Sequence, residues 1–87
     1  MKVSRIADAS FKEVQQAAMD VLHNLQRRPP QVQLAGMGWL FLLACQRYGL
    51  NESEALRVVD RMVRHVLSVA PQYPRALQEY MKHEWPS

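Results

Sequence analysis

The sequence predicts an all-α fold: a compact bundle of about four helices forming one domain over residues 1–87. Three observations predict it. Apolar residues recur at helical spacing over long stretches, and no segment alternates with a strand's period of two for long. Prolines and cap residues then cut the chain into pieces near 9–26, 30–48, 52–69 and 75–84.

In the first piece Ser10 stands at the N-cap with Glu13 three positions on. That is the spacing of a capping box, in which each side chain satisfies the other residue's free N–H. Phe11, Val14, Ala18, Val21, Leu22 and Leu25 fall on one face, and Pro29-Pro30 ends the helix after Arg27 and Arg28. The second helix is expected to start near Pro30 or Gln31, since proline is tolerated in a first turn, and to run to Tyr48 before the natural C-cap Gly49. Asn51 caps the third, with Glu52 and Glu54 near the positive end of its dipole. Pro71 and Pro74 separate it from the short fourth.

The third helix reads as amphipathic. Ala55, Leu56, Val59, Met62, Val63, Val66 and Ala70 are expected inside, with Arg57, Arg61, Arg64 and Ser68 outside. The second differs: from Leu34 to Cys45 it carries no polar side chain on any face. Such a helix is expected to be largely buried, and any strip its neighbours leave uncovered becomes a dimer or partner surface. Gly36 and Gly38 each cost about 1 kcal/mol against alanine in a helix interior, which implies a closely approaching backbone. A tight crossing within the chain and a homo-oligomer seam around Gly36, Gly38 and Trp39 are the two readings. For Trp39 itself a place in the core is the plainer expectation.

Composition bounds the function. With 48% hydrophobic and 22% charged residues the chain is an ordinary folded one, and 87 residues leave no room for a catalytic lobe. The single cysteine, Cys45, forbids an internal disulfide and suits a reducing compartment. The N-terminus leads into no hydrophobic signal core. The longest apolar run, twelve residues, is short of the ~20 needed to span a bilayer, so a cytoplasmic location without membrane association is expected. The net charge of +3 resides wholly in Arg27, Arg28 and Arg47, because the other segments balance.

No enzymatic chemistry is expected, and neither a cofactor nor a metal. His23, His65 and His83 lie on different helices without ligand spacing, and Cys45 ends an apolar run as a buried small residue would. Glu52 and Glu54 point different ways, and no glycine-rich phosphate loop is present.

Leu42–Val59 resembles a DNA-binding helix-turn-helix. It has a small residue at Ala44 or Cys45, then Gly49 and Leu50, a cap at Asn51, and Ala55 and Val58 inward. That resemblance implies a transcriptional regulator with Glu52, Ser53, Arg57 and Arg61 facing the groove. The acidic pair at the helix start and the neutral third helix speak against it, and Asp60 can engage Arg64 at i, i+4 instead. Tyr48–Pro74 is also similar to half of a tetratricopeptide unit, although a solenoid needs about three stacked units.

Small size, helical content and absent catalytic motifs together resemble the small accessory proteins encoded by bacteriophages and prophages. The resemblance implies a modulator or inhibitor of a host protein and assigns no site residue. The leading expectation is a non-enzymatic protein-interaction module working as a homo-oligomer, a homodimer in its simplest form. Arg27, Arg28, Arg47, Arg57, Arg61, Arg64 and Trp85 are its candidate partner-binding residues, because arginine and aromatic side chains dominate interface energetics.

Overall fold

Four α-helices follow a short 3₁₀ helix at Val3–Asp8: α1 Phe11–Leu25, α2 Pro30–Tyr48, α3 Glu52–Val69 and α4 Gln72–Glu84. The computed structural model describes residues 1–85, so residues 86–87 of the expected domain lie outside it. Among the described residues there is no strand.

The helix ends have local causes. Gly49, at φ +66°, closes α2 in a Schellman motif: its N–H donates to the Gln46 carbonyl, and the Leu50 N–H donates to that of Cys45 at 2.8 Å. The Asn51 side chain accepts from the Glu54 N–H at 3.0 Å and starts α3. The expected capping box does not form, since the Ser10 side chain makes no cap hydrogen bond. α4 begins at Gln72, three residues before the expected Arg75. Pro74 sits inside its first turn, where a missing N–H costs nothing because no carbonyl precedes it in the helix.

α3 is the hub of the packing. It contacts the 3₁₀ helix, α4 and α2, while α1 packs chiefly on α4. Val3 and Ile6 of the 3₁₀ helix are half-buried in this arrangement. On the other side the Phe11 and Tyr73 rings lie 6.3 Å apart, tilted by 58°. The Tyr80 hydroxyl donates to Gln26 Oε1 at 2.9 Å, and the Trp85 indole N–H donates to the Leu22 carbonyl at 3.0 Å.

The expectation of a largely buried second helix is overturned. α2 packs substantially on α3 alone, and only Gln33 and Cys45 along its length are buried. Leu34 is 70% exposed and Trp39 68%, so Trp39 is no core residue. A helix without a polar face requires neighbours on every side, and the other three helices, centred on α3, do not supply them. Val21 and Leu56, expected inside, are exposed as well. The molecule measures 35 × 30 × 17 Å, so its thin dimension accommodates under two helix diameters of ~10 Å. Its buried apolar residues among those described are Leu22, Cys45, Ala55, Val66 and Pro74.

Candidate interaction surfaces

Two exposed faces contain the candidate residues. On α3, Arg57, Arg61 and Arg64 recur at i, i+4 and i+7 and form one solvent-facing stripe. Arg64 Nε donates to Asp60 at 2.8 Å, the i, i+4 pair expected, and this hydrogen bond and the adjacent carboxylate charge raise the guanidinium's pKa. Both side chains are largely in water, so the bridge orients Arg64 more than it stabilises the fold. Neither Arg57 nor Arg61 has a carboxylate within 4 Å among the described residues. On α3, Arg61 borders a shallow cavity of about 330 Å³ together with Val58, Met62, His65 and Ala7 of the 3₁₀ helix.

The three arginines that hold the net charge do not form one patch. Arg27 and Arg28 precede α2 and Arg47 lies in its last turn. At 1.5 Å per residue that separates them by about 27 Å along the helix. All three are exposed, and they bracket the apolar face between them.

That face is the second surface. Val32, Trp39, Leu40 and Leu43 are exposed on it. Between α1 and α2 runs an open groove of about 410 Å³, walled by Val21 and Leu25 on one side and by Gly36, Trp39 and Leu40 on the other, with Asp20 and Asn24 at its rim. The groove stays open because α1 and α2 make little contact with one another. At their junction the buried Gln33 side chain donates to the Leu25 carbonyl at 2.9 Å, supplying a partner to an acceptor the end of α1 would otherwise leave unmet. Sequence reading passed over Gln33. As the last polar residue before the twelve-residue apolar run it was the available signal.

The glycines divide. A Cβ at either Gly36 or Gly38 would meet nothing within 4 Å, which overturns the reading of a tight crossing inside the chain. Two residues apart on a helix, they point about 200° away from each other. Gly36 therefore lies in the groove and Gly38 on the opposite side, and one seam cannot use both.

Trp85 is half-buried against α1 with its N–H engaged, so the ring is held down on the bundle. Cys45 is buried, as expected of a small apolar residue. His23 stands 3.4 Å from the Tyr80 hydroxyl and His83 3.3 Å from Glu79, while His65 is exposed. Among the described residues no three His, Cys, Asp or Glu side chains gather as a metal site, and no helix is long and apolar enough to cross a membrane.

No protein-family model, no curated protein and no solved structure matches the chain.

Proposed function

We propose that the protein is a non-enzymatic protein-interaction module that acts as a homo-oligomer in the cytoplasm, a modulator of another protein of the kind phage and prophage genomes encode. One observation supports this above the others. The chain exposes 6830 Å², whereas folded monomers of its 10.1 kDa mass expose about 5,300 Å². The excess is about 1,500 Å², and a partner in a standard interface loses about 800 Å². Seven of the thirteen large hydrophobic side chains exposed among the described residues lie on α2. An apolar patch of a few hundred Å² on one face is of the kind that often marks an interaction site.

The arginine stripe on α3 lies apart from this face and serves as the second binding surface, turned toward the regulated protein. Arg57 and Arg61, free of carboxylate partners within the described chain, are its anchors.

The test has two arms. Sedimentation at micromolar concentrations gives a mass of at least twice 10.1 kDa, and a monomer throughout sinks the oligomer reading. Charge reversal at Arg57 and Arg61 abolishes partner capture while leaving the oligomer intact. Binding to duplex DNA that falls steeply with salt and vanishes with the same two substitutions would replace the reading with the helix-turn-helix one.

A further inference from the structure

We propose that the groove between α1 and α2 receives α2 of a second copy of this chain, antiparallel about a two-fold axis, with each Trp39 seated over Gly36 of the other copy. This rests on the homo-oligomer reading above and specifies its seam.

Spacing along α2 comes first. Val32, Gly36, Trp39 and Leu43 are separated by four, three and four residues, the seam spacing of paired helices, and fall within about 60° of one another around the axis. The same stripe borders the groove, since Gly36 and Trp39 line it. A helix laid along the stripe thus also meets Val21 and Leu25 of α1, and two copies form a four-helix arrangement of α1, α2 and their mates.

The stripe is complementary to itself in one direction only. Placing Val32 opposite the partner's Leu43 places Gly36 opposite the partner's Trp39, and the two-fold repeats both pairs. The largest side chain then meets the residue with none, over the open space above Gly36. A parallel pair sets indole against indole and leaves a void between facing glycines. At the groove rim the Asp20 carboxylate accepts, among the described residues, only from Gln16, at 3.2 Å, so it retains lone pairs for an arriving indole N–H.

The area suffices. Taking about 100 Å² for an aliphatic and about 200 Å² for an aromatic side chain, the exposed parts of Val21, Val32, Trp39, Leu40 and Leu43 supply roughly 300 Å² of apolar surface per copy. The smallest stable interfaces cover ~600 Å² per partner, a little over half of it apolar, which is about the same figure. The pair therefore belongs at micromolar rather than nanomolar strength. Its register also sets Arg47 beside the partner's Arg28, so like charges meet at both ends and added salt leaves the pairing unchanged or tightens it. An acidic helix from another protein in the same groove would instead be released by salt.

Two measurements decide. In sedimentation equilibrium, Trp39→Ala raises the dimer dissociation constant about thirtyfold, and Leu34→Ala, an equally exposed change off the stripe, leaves it alone. Circular dichroism verifies that both variants keep their helices. In the second measurement a Val32→Cys chain is mixed with a Leu43→Cys chain under oxidation. A mixed disulfide forms and neither variant links to itself, because only the mixed pair brings Cα atoms within ~7 Å. A dimer unaffected by Trp39→Ala, self-linking of Leu43→Cys, or dissociation by salt overturns this seam and spares the oligomer reading. A monomeric wild type overturns both.

Discussion

The α1–α4 side and the α2 side of this molecule carry similar kinds of apolar residue and meet opposite fates. On the first, helices far apart in sequence close on one another through the Phe11–Tyr73 ring pair and the hydrogen bonds of Tyr80 and Trp85. On the second, the most hydrophobic segment of the chain is the most open, with Leu34, Trp39 and Leu40 each more than half in water. Hydropathy records what a residue would gain by burial. Whether it is buried depends on which surfaces topology brings to it, and here topology gathers around α3.

The same substitution placed on both sides tests that contrast most strongly. Leu22→Ala, which empties a site only 7% exposed, should lower unfolding free energy by about 3 kcal/mol in urea titration. Leu34→Ala should stay within ~0.5 kcal/mol. Comparable losses at both sites would mean that α2 is covered after all. Next in size is Gln33→Met, which strips the Leu25 carbonyl of its donor and should cost about 1–2 kcal/mol. No change there would show that water satisfies the junction as well as the amide does.

The smallest effect has the opposite sign. Gly38→Ala meets open space and improves helix propensity, so it should raise the melting temperature, by up to ~1 kcal/mol in stability, at every protein concentration. Gly36→Ala should give the same gain in a single copy but lose dimer at the seam. Parallel behaviour of the two glycines would remove the distinction between the faces of α2.

Much of the fold was legible along the chain. Proline at the start and glycine at the end bound α2 at Pro30 and Tyr48, and Asn51 starts α3, because those signals act through backbone geometry within a few residues. The 3₁₀ helix was not visible, since six residues show too little of a periodic pattern and its support comes from distant α3. Pro74 was read as a boundary although a first turn accepts it. The two tryptophans exchanged roles for a related reason. Trp39, in the apolar run, points into water, and Trp85, beside a proline near the C-terminus, is tied to Leu22. The arginine stripe was legible because i, i+4 and i+7 positions share a face whatever the tertiary arrangement. The groove was not, since it exists only where two helices fail to meet.

The short roll of buried core side chains, Leu22, Cys45, Ala55 and Val66, carries a consequence for abundance in the cell. In the proposed dimer, a chain with so little interior of its own would draw part of its stability from the second copy laid over α2, by mass action. Its folded fraction would then rise with its own concentration, and the dilute chain would be the one that proteases clear. Dosage would thus act as a threshold: below it the protein is degraded, and above it the protein protects itself.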